Sequence, residues 1–392
     1  TRTYTLSLHD ALPIYVTNTA IINQMNTIGK LFRLTTFGES HGKAIGGVID
    51  GCPAGLFVDM EAIERELLRR RPGQSHYTSP RQESDMVQFI SGLFRGETTG
   101  APIAFMIDNK DVRSADYDSL SSIFRPGHAD YTYFHKYGIR DPRGGGRSSA
   151  RETAVRVVAG AVAKQLLTPL GIRCTAYTSQ IGPVCIPQEN AKEYSPEEVE
   201  SSPIRCPDPN ASGLMEAVIE TAKKESDSVG GIVDCQISGV PVGWGEPLYG
   251  KLHAALGAAM LSINAAKGFE VGDGFALASM RGSEANDQMV AAEDGGISFL
   301  SNHSGGISGG ISTGQDIRFR VAFKPTPTIG QKQQTVNEQG ESISLSAVGR
   351  HDPCVVPRAV PVVEAMTWLT LADAYLASRS GRCAHSSLKC NG

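Results

Sequence analysis

Apolar positions recur along this chain at two spacings. Short strand-like runs occur at Leu31–Thr36, Ala44–Asp50, Met86–Ile90, Ile103–Ile107, Ile232–Ile237 and Ile317–Phe323. The last alternates cleanly: Ile317, Phe319, Val321 and Phe323 share one face, and Arg318 and Arg320 the other. Helical spacing is interspersed. Asp59 is placed to cap a helix carrying Met60, Ile63 and Leu67, and Pro72-Gly73 stops it. Ser149 and Glu152 have the spacing of a capping box, opening a helix with Val155, Val158, Val162 and Leu166. Leu252, Leu256, Met260 and Ile263 mark a third helix, expected to end at Gly268. Arg358 to Ala377 reads as a fourth, with Pro361 tolerable only in its first turn. No linker or repeat divides the chain, so the pattern predicts one large α+β domain. Residues 186–228, rich in Glu, Pro and Ser, read as a looser insertion.

Composition narrows the class. Of 392 residues, 40% are hydrophobic and 20% charged, enough for a sizeable core and incompatible with wholesale disorder. A net charge of -4 argues against a globally basic nucleic-acid binder. No apolar run reaches the roughly 18 residues of a membrane-spanning helix. The eight cysteines are scattered, form no C-x-x-C pair and have no zinc-ligand spacing with histidine. Reduced thiols in the cytoplasm are the expectation, and no metal is. Residues 1–24 are polar and aperiodic and lack the features of a signal peptide. They are expected to lie outside the fold, with residues 25–377 forming the domain and 378–392 a polar, frayed tail.

Glycines, 43 in all, are clustered beside chemistry-bearing residues. Gly38-Glu39-Ser40-His41-Gly42 follows the first strand, where backbone can approach a ligand and a histidine can act as a general acid. Ser40 and His41 are adjacent in sequence, which disfavours a serine nucleophile activated by that histidine. Arg125-Pro126-Gly127-His128-Ala129-Asp130 places an arginine, a turn, a second histidine and a carboxylate together. Arg143-Gly144-Gly145-Gly146-Arg147-Ser148-Ser149 feeds a helix N-terminus, where free amides and the helix dipole favour an anion. It is neither a P-loop nor a dinucleotide fingerprint. A second glycine loop, Asn302 to Gly310, and Lys324-Pro325-Thr326-Pro327-Thr328 flank one strand and suit a second phosphate-bearing ligand such as a flavin mononucleotide. Gly349-Arg350-His351-Asp352-Pro353 precedes the last helix. Each motif alone also fits a plain turn or a solvated surface loop.

Local charge favours a small polyanion. Residues 125–151 hold six Lys/Arg against two Asp/Glu, and residues 65–82 hold five Arg against one Glu. Arginine's planar fork suits carboxylates and phosphates. Three functions remain open on this basis. They are an enzyme acting on a phosphorylated acid, a flavin- or phosphate-binding module without catalysis, and a polyanion or RNA binder. The last would bind with steep salt dependence, and the glycine loop lacks the interleaved aromatics it needs.

Taken together and in order, these motifs resemble the chorismate synthase family. The segments are FGESHG, RPGHADYT, RGGGRSSARET, SINAAKGFE, GGISGGISTGQ and GRHDPC, and the likeness runs from about Met25 to about Ala377. The resemblance implies a β-α-β sandwich with mixed or antiparallel sheets and helices packed between them, assembled as a homotetramer. It implies a phospholyase that eliminates phosphate from 5-enolpyruvylshikimate 3-phosphate in a trans-1,4 sense, giving chorismate. Reduced FMN (FMNH2) is required without net redox change, and its electron assists C–O cleavage.

By this resemblance His41 protonates the leaving phosphate and His128 protonates or balances the reduced flavin. Asp352 helps accept the departing proton, and Ser40 and Ser149 relay protons. Arg147, Ser148, Ser149, Asn264, Ala265, Gly309, Lys324, Pro325, Thr326, Pro327, Thr328 and Arg350 line the FMN site. Arg70, Arg71 and Arg125, with His76, fall on the substrate side. His76 stands where many relatives carry an arginine associated with NADP. The expected mature length of about 368 residues leaves no room for a fused flavin reductase, so an external reductant is expected. Neither nucleic acid nor membrane is an expected partner.

Overall fold

The computed structural model describes residues 26–78, 84–110, 120–190, 192–293, 295–346 and 352–380. The leader lies outside the described residues, as does the tail beyond Ser380.

Two antiparallel five-stranded sheets form the outer layers. The first runs, in spatial order, Thr27–Ile28, Arg33–Gly38, Ala44–Asp50, Ile103–Asp108 and Val87–Phe89. The second runs Ala266–Val271, Ile317–Phe323, Gly231–Ser238, Arg173–Ile181 and Val184–Cys185. The strand Ile317–Phe323 buries Ile317, Phe319, Val321 and Phe323 and exposes Arg318 and Arg320, as its period-two pattern requires.

Among the described residues, eight α-helices accompany the sheets. They are α1 (Met60–Arg70), α2 (Asp130–Tyr137), α3 (Thr153–Leu167), α4 (Pro196–Glu200), α5 (Pro209–Lys224), α6 (Leu252–Leu261), α7 (Gly282–Ala285) and α8 (Val356–Ser378). Helices α3 and α8 pack on each other between the sheets. The former rests against Ala44–Asp50, the latter against Arg173–Ile181 and Gly231–Ser238. Their axes approach closely because Gly160 faces Ala365, where a Cβ would stand 2.5 Å from the Ala365 Cα. Val155, Val158, Val162 and Leu167 of α3 are wholly buried, each contributing about 1.5–3 kcal/mol by transfer from water. The architecture is the expected α+β sandwich with helices between mixed-connectivity antiparallel sheets.

Several local expectations need correction. Ser149 accepts a hydrogen bond from the Arg151 amide at 3.3 Å, but Glu152 does not return it. Glu152 is drawn instead to Thr36 and Arg156, so a short 3-10 turn, Ala150–Glu152, precedes α3. Helix α6 ends at Leu261, and Gly268 lies inside a strand, because Ala266–Val271 pairs with Ile317–Phe323. The sixteen-residue α5 and the capped α4 occupy the segment read as a loose insertion. Helix α8 starts two residues earlier than expected, which puts Pro361 beyond its first turn, and it extends one residue into the expected tail. The strand Arg173–Ile181 lacks a clear apolar alternation, since its buried positions are Ala176, Thr178 and Ile181.

Candidate active site

The candidate residues converge where α1 ends, α8 begins and the glycine loop enters α3. Arg70, Arg125, His128, Ser148, Ser149, Asn264, Ala265, Lys324, Thr326, Pro327, Thr328 and Asp352 line one cavity of about 380 Å³. Segments far apart in sequence therefore share a wall. Local folding explains much of this. Asp59 caps α1 through the Ala62 amide, and the helix carries Arg70 to its last turn. Helix α8 starts just after Asp352 and presents Val355 and Arg358 to the same space.

Glycine makes room for the two histidines. Gly144 and Gly145 have φ of +61° and +94°. A Cβ on Gly144 would stand 2.1 Å from His41 Cε1, and one on Gly145 2.9 Å from His128 Cε1. The two imidazoles thus abut consecutive residues of one loop. His41 is buried behind Gly144, which itself lines the cavity, and Ser40 Oγ is 3.2 Å from His41 Nδ1. His128 Nδ1 lies 2.9 Å from Asp130 Oδ1.

The site is strongly cationic. Arg70, Arg125, Arg151, Lys324 and Arg358 line the cavity, and Asp352 is the one carboxylate among its lining residues. Asp352 is ion-paired to Arg358, whose Nε donates to the Arg70 carbonyl at 3.2 Å. Behind the wall, buried Asp85 accepts from Arg70 at 2.8 Å and from Arg151. Burial alone would raise the Asp85 pKa, but the charges of Arg70 and Arg151 hold it below the usual carboxylate range. Burial pushes the Arg70 guanidinium down to about 10, against the pull of Asp85. It stays charged at neutral pH. Burial also lowers the Lys324 ammonium, assisted by repulsion from Lys267.

Three buried polar atoms of cavity residues have no hydrogen-bond partner: Arg70 Nε, Asn264 Oδ1 and Thr326 Oγ1. Such atoms cost roughly 1–3 kcal/mol each when left unmade. A donor, an acceptor and a hydroxyl therefore await a polar ligand, and an anionic, hydrogen-bonding cofactor fits them.

Other candidates lie elsewhere. Arg147 binds Thr36, the Gly38 carbonyl and Asn26, tying the glycine loop to the first sheet rather than lining the cavity. Gly309 sits in a hairpin between Ile307–Ser308 and Ile311–Ser312 and is not in the cavity wall. Pro325 and Arg71 are likewise absent from the wall, although their neighbours contribute to it. His76 is exposed on the protein surface, 3.0 Å from Glu220 and 3.1 Å from Lys223. Arg350 falls outside the described residues. Sequence reasoning gave no site role to Arg151, Arg358 or Asp85. Arg151 was visible only as one of six cations in a stretch, and Asp85 carries no local signal.

A family model described as chorismate synthase matches residues 32–376. The chain is 99% identical over 368 residues to a chorismate synthase of Porphyromonas gingivalis, covering 94% of this chain and 100% of that protein. It is 58% identical over 356 residues to a chorismate synthase of Parabacteroides distasonis, covering 91% and 99% of the two. A solved crystal structure of a chorismate synthase superposes with a TM-score of 0.72 at 32% identity, covering 90% of this chain and 94% of that one.

Proposed function

Because the chain belongs to the chorismate synthase family, we propose that its cavity binds reduced FMN beside 5-enolpyruvylshikimate 3-phosphate and eliminates phosphate to give chorismate. The family consists of flavin-dependent carbon–oxygen lyases that complete the shikimate pathway, and this chain is one of them. The observation that carries the finer reading is the cavity itself, where five cations surround unpartnered polar atoms, a histidine and a single carboxylate. A substrate with two carboxylates and a phosphate is the charge complement of that wall.

Reduced FMN, when bound, supplies the electron that weakens the breaking C–O bond. The protein's part is binding, orientation and proton handling. Ser148, Ser149, Asn264, Ala265, Lys324 and Thr326 to Thr328 hold the cofactor. Arg70 and Arg125, joined by Arg151 and Arg358, hold the substrate's anionic groups. His41, reached past Gly144 and held by Ser40, protonates the departing phosphate. His128 exchanges a proton on the flavin side, and Asp352 takes up the proton lost from the substrate ring.

The reductant is external, and the enzyme acts in the cytoplasm as a homotetramer. Large exposed apolar side chains such as Tyr249, Phe275 and Ile297 support self-association. Glu220 and Lys223 flank His76 with opposite charges, so the surface there has no cationic excess for the phosphate of NADP, and no nicotinamide site is assigned. Among the described residues, no helix is long and apolar enough to cross a membrane.

An anaerobic assay of phosphate release with reduced FMN tests the reading. Release is expected, and His41→Ala and His128→Ala should each lose about 10²–10⁴-fold, the usual worth of a proton-transfer group. Flavin binding without release would reduce the protein to a binding module. Full turnover in both variants would remove the histidines from the chemistry.

A further inference from the structure

Asp130 is buried and touches two guanidiniums and an imidazole. It accepts from Arg125 Nε at 2.7 Å, from an Arg125 terminal nitrogen at 2.8 Å and from the Arg125 amide at 3.1 Å. Arg140 NH1 stands 3.3 Å from Oδ1, and His128 Nδ1 2.9 Å from the same oxygen. The Arg140 side chain is buried too. Its other terminal nitrogen donates to the Ser121 carbonyl at 2.6 Å and the Ile123 carbonyl at 3.1 Å, and the guanidinium lies 5.4 Å from the centre of the Phe124 ring. The arginine is therefore fixed to a loop rather than free to follow a ligand.

Burial by itself would raise the Asp130 pKa, but hydrogen bonds from Arg125 and His128 hold it far below the usual carboxylate range. An ionised carboxylate only accepts hydrogen bonds, so the nitrogen facing it must carry a hydrogen. Among the described residues no hydrogen bond engages the other nitrogen, Nε2.

We propose that Asp130, backed by Arg125 and Arg140, is a positioning residue that locks the proton on His128 Nδ1. This makes Nε2 the only nitrogen through which the imidazole exchanges protons with the cavity. Neutral His128 is then a base at Nε2, and cationic His128 an acid at Nε2, with the Nδ1–H bond unchanged in either direction. The ring cannot swap nitrogens or rotate without leaving an ionised carboxylate buried against two guanidiniums with one donor lost. Arg140 stands one step further back, shared between Asp130 and Glu338, 3.4 Å away, and does not touch the imidazole.

The inference rests on His128 having the proton-exchange role given above, but its test does not. Enzyme labelled with ¹⁵N-histidine is compared as wild type, His128→Ala (which assigns the signal) and Asp130→Asn, and the same samples are assayed for anaerobic phosphate release. In wild type, the neutral His128 signal should show hydrogen on Nδ1 alone. In Asp130→Asn it should move to a mixture or to the Nε2 form. Turnover should fall about 10²-fold or more, and any rise in substrate KM reports the Arg125 that Asp130 also holds rather than the tautomer. A merely structural role for Asp130 would not move the tautomer. If Asp130→Asn loses cooperative folding, Asp130→Ser, whose hydroxyl can donate or accept and so fixes no tautomer, takes its place and should show the same tautomer drift and loss of turnover. An unchanged tautomer and unchanged turnover in the variant that folds would overturn the proposal. A shifted tautomer in an enzyme that releases no phosphate even as wild type would uphold the lock and refute the proposed reaction instead.

Discussion

Replacing Gly144 with alanine should cost far more activity than stability, and the structure supplies the size of both effects. The added Cβ would lie 2.1 Å from His41 Cε1, 2.2 Å from Nδ1 and 3.0 Å from Ser40 Oγ. Ordinary contact begins near 3.4 Å, so the imidazole must retreat by about 1.3 Å. A displacement of roughly 1 Å in a reacting constellation can cost on the order of 10²-fold in rate. The backbone adds a penalty of its own, because Gly144 has φ of +61°, where an L-residue pays about 1–2 kcal/mol. Gly138 provides the control. It has φ of +70° at the end of α2, and its Cβ would meet nothing within 4 Å. Gly138→Ala should therefore lose only that backbone share, a Tm drop on the order of 2 °C, and keep its turnover. Thermal melts and anaerobic phosphate release on both variants check the pair. If the two turn over within threefold of each other, the contact between Gly144 and His41 has no bearing on the chemistry, and the placement of His41 at this site is wrong.

Three further outcomes follow from the buried charges and thiols. Arg70→Met strands Asp85 with one guanidinium instead of two, and urea denaturation should show a loss of about 3 kcal/mol or more. Asp85 has a folded pKa below its ordinary 3.8. Its contribution to stability is thus complete above that value and is lost as pH falls through it, so Asp85→Asn should flatten the stability curve below about pH 4. Burial pushes the Cys354 thiol up to about 12 and the Cys52 and Cys206 thiols up to about 11. Iodoacetamide at pH 8 should accordingly label exposed Cys185 well before these three in the native protein, and mass spectrometry of the digests reads the order.

Elements whose burial is one-sided were legible from the chain. Ala44–Asp50 and Ile317–Phe323 occur with the boundaries their patterns gave, and α1 begins at the cap that Asp59 provides. The failures share a cause in tertiary contacts. Arg173–Ile181 and Ala266–Val271 are strands because neighbours in the second sheet pair with them, not because their side chains alternate in polarity. Glu152 has the spacing of a capping partner, but the folded chain offers it Thr36, 116 residues away, and Arg156 one turn on. Local spacing identifies the donors and acceptors available. Only the fold decides which of them meet.

The same distinction separates the parts of the site that sequence exposes from those it hides. The candidate site residues that stand out in the sequence sit in loops whose composition is unusual: glycines beside histidine and arginine, or proline alternating with threonine. His41, His128, Ser149 and Lys324 to Thr328 could be singled out for that reason. Residues that hold those groups in place are ordinary in their local setting. Asp85 sits among polar neighbours, Arg358 opens a helix, and Arg140 is one arginine in a basic stretch. Their identity comes from partners across the fold. Arg358 reaches the Arg70 carbonyl over 288 positions, and Asp85 bridges Arg70 and Arg151. A buried arginine without its carboxylate is expensive, so each ligand-facing cation requires an anion behind it. Applied to the chain, that requirement states that carboxylates must exist for Arg70, Arg125 and Arg151, but not where. For Arg125 the answer lay five residues on, inside a motif already noted, and for Arg70 and Arg151 it lay in a residue that no pattern marks.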